Sequence, residues 1–341
     1  MGRWLVWGLA VILMAAGAWI GWWYIGAEGQ RSAFELWLEK QRERGWQAEA
    51  GHVEITGFPG AFRLTVNDLS LADPSSNWSW RAPVLNAESS AAAPTRISVH
   101  WPDAQSLGTT KDQIKILSDG MQTLLDLRPG PSMELREAAT QARNVVAEAR
   151  SGWTGSAAEV DLGVTERPED LAPPNSYDLR GKATSVKLPK TLIDELDPTG
   201  LLKPSIDEVT LVGHAALADP IDRIALEEGR IAVRAATIRE AGFSWGDMKL
   251  VIKGAFQVDD AGFPDGKLQI IAREWQKIVK LAVASGAIDA TMAETIVGAV
   301  KLVTAFTGSG NDLNVPLGLK NGEIRLGPFA LAAAPRLAPP R

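Results

Sequence analysis

Cysteine is absent from the 341 residues, so no disulfide can staple this fold and no zinc or iron–sulfur site can be built on thiolate. Basic residues are in the minority: 35 Lys and Arg stand against 41 Asp and Glu, a net charge of −6. No lysine- or arginine-rich run offsets that balance. Nucleic acid is therefore disfavoured as a partner, because its phosphates need a basic footprint. Histidine occurs only as His52, His100 and His214, and none has a partner at metal-ligand spacing such as i, i+4. They read as solvent-facing strand residues, and neither metal nor cofactor is expected.

A catalytic constellation is also missing. Gly242-Phe243-Ser244-Trp245-Gly246 spells G-x-S-x-G, but a hydrolase elbow needs a strand before the serine, a helix after it and a later histidine. Here the following text alternates as a strand and no histidine follows His214. Ser244 is read as a turn residue between strands. The acid pairs Glu169-Asp170, Glu227-Glu228 and Asp259-Asp260 sit in polar, turn-like text where carboxylates are solvated rather than poised for proton transfer. Gly308-Ser309-Gly310 lacks the lysine and the strand–loop–helix setting of a phosphate loop. A non-enzyme is expected.

What the chain does have is a long apolar start. No charged residue occurs from Trp4 to Gly26, and a helix of that length spans roughly 35 Å, enough to cross a hydrocarbon core of about 30 Å. Trp4 and Trp7 lie at one end and Trp22, Trp23 and Tyr24 at the other, where amphipathic rings favour the headgroup level. A cleavable signal peptide is the competing reading, with Arg3 as its charge and Ala16-Gly17-Ala18 as its cleavage site. The apolar text continues well past Ala18, which favours an uncleaved anchor. Counting Arg31, Lys40, Arg42 and Arg44 would keep the body in the cytoplasm. Long domains translocate largely regardless of charge, so a single-pass inner-membrane protein with its body in the periplasm is expected.

Four segments follow from the pattern: an anchor over 1–26, a juxtamembrane amphipathic helix over 27–45, a β-rich domain over 46–334 and a proline-rich tail over 335–341. In the second, Ser32 is the expected N-cap and Gly45 the stop. Beyond it the period changes from 3.6 to 2. Val53 and Ile55, then Phe62, Leu64 and Val66, alternate with polar neighbours, and Leu69 and Leu71 resume after a bulge at Asn67-Asp68. Trp78 and Trp80, Ile97 to Trp101, Val209 to Gly213 and Met248 to Ile252 continue the pattern. Asn321-Gly322 suits a two-residue hairpin whose turn positions both need φ > 0. Glu274 to Ser285 and a helix through Phe306, opened by a Thr291–Glu294 capping box, predict a helical hairpin. Met133 to Arg150 carries apolar residues at helical spacing, although its setting resembles repeated strands, which favours strand for its second half. The tail is expected to be extended and mobile.

The stretches GFPGAFRLTVNDLSLADPSSNWSWRAPVLNAES, AREWQKIVKLAVASGAID and LNVPLGLKNGEIRLGPFALAAAPRL together resemble the DUF2125 family of uncharacterised bacterial envelope proteins. That resemblance implies a Gram-negative envelope location and no established activity. The organisation is also similar to AsmA-like envelope proteins, in which a membrane helix precedes hairpins that curl into a lipid-sheltering groove. The expected fold is mainly β (α+β): a transmembrane helix, then large antiparallel sheets built from hairpins, with a helical hairpin near the end. Phe62, Leu64, Val66, Trp78 and Trp80 share a face that either lines an apolar groove or makes a closed core. The expected partners are the bilayer and a lipid ligand; a tethered scaffold without a ligand is the alternative.

Overall fold

The computed structural model describes residues 2–338 apart from 169, 197–201, 228, 285, 287, 308–311 and 328, and side chains from 13 onward apart from 196, 227, 299, 302–307 and 329 as well. The side chains of Trp4 and Trp7, and Gly308-Ser309-Gly310, lie outside the described residues. Strand is the dominant element and helix the lesser one, so the chain is mainly β. It divides into two compact units, the first covering Met1–Asp126 with Ala149–Ser151 and the second Leu127–Glu148 with Gly152–Arg341.

In the first unit a single helix, α1 (Gly2–Glu43), runs through both the apolar segment and the amphipathic stretch after it. Ser32 therefore lies inside the helix and caps nothing, because propagation costs less than restarting a nucleus. Gly45, at φ 88°, does close it. Its N–H donates to Arg42 O and that of Trp46 to Gln41 O, the paired bonds of a Schellman end. Among the described residues no helix is long and apolar enough to cross a membrane.

Seven strands follow: β1 (Gln47–Glu49), β2 (Val53–Thr56), β3 (Ala61–Asp73), β4 (Trp78–Ser90), β5 (Ala93–His100), β6 (Ala104–Gly108) and β7 (Gln113–Leu127). On one side β3 pairs with β2 and β1, on the other with β4. Between β4 and β7, β5 and β6 lie end to end as one interrupted strand. The interruption is Trp101-Pro102-Asp103, where proline has no N–H to give the ladder, so Trp101 falls just outside β5.

Asp68 sits at φ 49° within β3, opposite Pro83, while the register to β4 continues unchanged on either side. The kink resets the alternation. Val66 before it and Leu69 and Leu71 after it all join Leu38 of α1 and Ala48 in one core cluster. Phe62 joins Trp23, Ala27 and Ala91 in a second.

The second unit is an antiparallel meander of β8 (Leu135–Ala149), β9 (Thr154–Glu166), β10 (Ser176–Val186), β11 (Ile206–Leu217), β12 (Val233–Trp245), β13 (Met248–Val258), β14 (Pro264–Arg273), β15 (Asp312–Lys320), β16 (Glu323–Leu326) and β17 (Phe329–Ala333). Each strand pairs with the next in sequence. Its connections carry α2 (Lys190–Leu196), α3 (Arg223–Glu227), α4 (Trp275–Ala284) and α5 (Ala290–Thr307).

Asn321 (φ 53°) and Gly322 (φ 74°) make the predicted turn between β15 and β16. The helical hairpin is present as α4 and α5, but the cap of α5 is Asp289, whose carboxylate accepts the Met292 N–H at 2.7 Å. Met133 to Arg150 departs most from its helical spacing: it forms β8, in register with β9 from Glu137 to Glu148. Alanine-rich text tolerates either period, and pairing along a whole strand overrides a weak helical preference. The tail is not free. Leu337 N–H donates to Gly262 O, and the Arg336 guanidinium lies 5.0 Å from the Phe263 ring centroid.

Close strand approach in the second unit depends on Gly254, at φ 143°, where a Cβ would collide with the Lys267 carbonyl of β14. Gly254→Ala is expected to destabilise the unit by about 2–3 kcal/mol through strain that cannot relax, measured as a lower urea midpoint with the slope unchanged.

Candidate functional site: an apolar sheet face

Register in the second unit aligns side chains across strands, and three consecutive rows contain nothing polar. One row runs Leu162, Gly181, Leu211, Ala241, Ile252, Ile270 and Val315 from β9 to β15. Beside it run Val164, Leu179, Gly213, Ile238, Gly254, Leu268 and Leu317. The third passes from Val160 through Ala183, Val209, Phe243 and Leu250 to Ala272 and Leu313. An irregularity in β12 between Ile238 and Ala241 shifts the alternation by one. It keeps both residues on the same face, as Asp68 does in the first unit.

By the same alternation the opposite face is polar on β9 to β11, and carries Val251 and Ile271 on β13 and β14. Asp161, Lys182 and Thr210 form one of its rows, and Lys182 pairs with Glu208 at 2.8 Å. Two hollows open on that side. The first, about 640 Å³, is lined by Lys249, Lys253 and Arg273 together with Glu240 and Asp312. The second, about 670 Å³, includes His214, Arg167 and Leu171. Burial, with Arg167 second, holds the His214 imidazole below its ordinary range.

Cover over the apolar face is uneven. At β14 and β15 the helices α4 and α5 close it: Trp275 and Val300 pack with Ala272, Leu313, Val315 and Leu317 in one core. At one end of β11, Tyr177, Ala215 and Leu217 are sealed with Ile221. Burial pushes the Tyr177 phenol above its usual range, and its oxygen accepts the Ile221 N–H at 2.9 Å. Between these seals the described residues leave the face partly open on β9 and β11, with Leu162 50%, Leu211 43% and Val209 38% exposed, while Ala241, Phe243 and Ile252 on β12 and β13 are half-buried. Gly181 lies between Leu162 and Leu211, and an added Cβ would meet their side chains at ordinary contact distance, 3.5–3.6 Å. The missing side chain leaves a furrow between two leucines.

The residues expected to line a groove lie elsewhere. Phe62 and Val66 are 2% and 0% exposed, and Leu64, Trp78 and Trp80 pack around the Val66 cluster under α1. In the first unit that face is a closed core. Trp78 meets Trp46 edge-on, and the Trp80 indole donates to Gln105 Oε1 at 2.7 Å. Among the aromatics of the apolar segment, Trp23 is buried whereas Trp22 and Tyr24 are 50% and 63% exposed. Ser244 stands within β12, paired with Glu208 and Lys249 rather than with a histidine, so it is a strand residue and not a turn. Among the described residues no group of three His, Asp or Glu side chains could hold a metal ion.

Sequence reasoning did place Val209, Leu211, Leu250 and Ile252 on strands. It missed that Val209 and Leu211 lie where the face is open, and it missed Leu162 and Gly181. A row-by-row register of the hairpins is the signal that would have found them.

No curated protein and no solved structure matches the chain. Residues 22–335 match the model of an uncharacterised protein family conserved in bacteria, DUF2125, and the chain belongs to that family.

Proposed function

We propose that this is a non-enzymatic, membrane-anchored protein of the bacterial envelope, with its body in the periplasm, whose second unit holds the acyl part of a lipid. The observation that carries the reading is the bare stretch of apolar sheet around Leu162, Val209 and Leu211. A sheet face of this composition needs a cover, and contiguous exposed apolar surface marks an interaction site more often than an accident of packing.

The chemistry of the three rows selects the occupant. They offer no hydrogen-bonding side chain, so a peptide laid along them would leave backbone groups unsatisfied. An acyl chain has none to satisfy. The anchor is supported by the uncharged text from Trp4 to Gly26 and by Leu13, Met14 and Ile20 being 63%, 66% and 42% exposed on α1. Such a tether keeps the second unit close to a lipid source.

The test is photocrosslinking in cells fed a diazirine-bearing fatty acid, followed by peptide mapping of the full chain. Adducts on β9 and β11 are the expected result. Adducts confined to residues 4–26 would leave an anchor with a ligand-free scaffold.

A further inference from the structure

We infer that the turn Gly57–Ala61 between β2 and β3, with the turn at Ala91-Ala92 beside it, is a second membrane contact of the first unit, seated at the headgroup level of a phospholipid bilayer. The inference rests on the anchor reading of α1 and adds where the bilayer surface meets the body.

Residues 13–18 of α1 are exposed on every side, so none of the described body covers the helix there. A helix apolar all round needs an apolar surrounding. Body contact begins abruptly at Trp19, whose indole N–H donates to Pro59 O at 3.0 Å. Trp22 donates to Ala91 O at 3.3 Å and Trp23 to Ala61 O at 2.8 Å. Three successive indoles on the helix thus grip the carbonyls of two turns. Those turns are tied to each other by Ala91 N–H donating to Gly60 O at 3.0 Å.

A span of about 20 residues beginning at Trp4 ends near Trp23, level with this grip. The rim is suited to the boundary. Thr56 to Ala61 and Ser89 to Ala93 contain no charge. Phe58 is 48% exposed, stands edge-on to Trp23 at 5.4 Å and stacks on the exposed Tyr24 at 6.3 Å. Together with Trp22 these rings form a belt contributed partly by the helix and partly by the body, as expected where amphipathic rings meet headgroups.

The far ends of the same strands contrast with it. The turn Asp73–Asn77 is polar, with Asp73 accepting hydrogen bonds from Ser75 and Ser76. At about 3.3 Å per residue it lies roughly 40 Å from the rim along β3. The first unit is therefore polarised along its strands, and only one end can face lipid.

The absence of cysteine makes the test direct. Single cysteines at Phe58, Ala92, Met14 and Ser75 are labelled with NBD, and the full chain is reconstituted in phosphatidylcholine–phosphatidylglycerol vesicles carrying shallow or deep doxyl lipids. Labels at Phe58 and Ala92 are expected to emit at blue-shifted wavelengths and to lose most intensity to the shallow quencher. The Met14 label should respond most to the deep one, and the Ser75 label to neither. If Met14 is deep while Phe58 and Ala92 report water as Ser75 does, the rim contact is wrong and the anchor stands. If Met14 also reports water, the anchor fails and the rim contact with it.

Discussion

Val66→Asp is expected to unfold the first unit, with loss of its cooperative melting transition and rapid amide exchange over β2, β3 and β4. Val66 is fully buried between Leu38 on α1 and Ala48, Leu69 and Leu71 on the sheet. A carboxylate there loses its water and gains no partner, at a cost of about 3–5 kcal/mol. That is a large share of the 5–15 kcal/mol by which domains are stable. Val66→Ala removes two methyl groups without a charge and should cost about 2 kcal/mol, lowering the midpoint while keeping the transition. The pair of variants separates a closed core from an open groove. A groove residue would accept the aspartate with little change in stability, and a Val66→Asp chain that melts like the parent would mean that α1 does not cover this face.

The second prediction has the opposite sign for stability. Gly181→Leu is expected to raise the urea midpoint of the second unit and to abolish fatty-acid crosslinking on β9 and β11. Glycine in a strand interior forgoes about 0.5–1 kcal/mol of stability relative to residues with side chains. No positive φ requires it here, and the space above it is bounded only by Leu162 and Leu211 at contact distance. A leucine would occupy the furrow itself, bury apolar area and leave an acyl chain nowhere to lie. Thr210→Leu places the same side chain one residue from Leu211 on the polar face, and crosslinking should persist there. Loss in both variants would point to a general effect of added bulk, while persistence in Gly181→Leu would place the ligand elsewhere.

Local chemistry made some of this fold legible. Asn321-Gly322 declares a turn whatever surrounds it, and Gly45 declares a helix end, because both answer a demand for φ > 0 that few residues meet. The strands from Val209 and from Met248 were legible by period alone. Two kinds of feature were not. The helical spacing of Leu135, Ala138, Ala139 and Ala142 lost to pairing with β9, a contact that no short window contains. The open face was hidden for a related reason: Phe62–Leu64–Val66 and Val209–Leu211 show the same alternation. Which face is covered depends on where a helix lands. Alpha-helix α1 lands on the first, and α4 and α5 cover only part of the second. Ser32 shows the converse, a good capping residue overruled because the turn before it was already helical.

The pairing of every strand in the second unit with its sequence neighbour has a kinetic consequence. A meander of this kind has a low contact order for a β structure, and each new hairpin needs only the strand already laid down. Such a sheet can grow from its leading edge as the chain emerges, with no early strand held unpaired for a distant partner. The longest closure is that between Arg273 and Asp312, where α4 and α5 intervene before β15 can dock on β14. Closing that longer loop carries the larger entropy loss, and the same helices then form the lid over the apolar rows. The meander would thus display its bare apolar rows before the seal at β14 and β15 forms, the interval in which an acyl chain has its freest access.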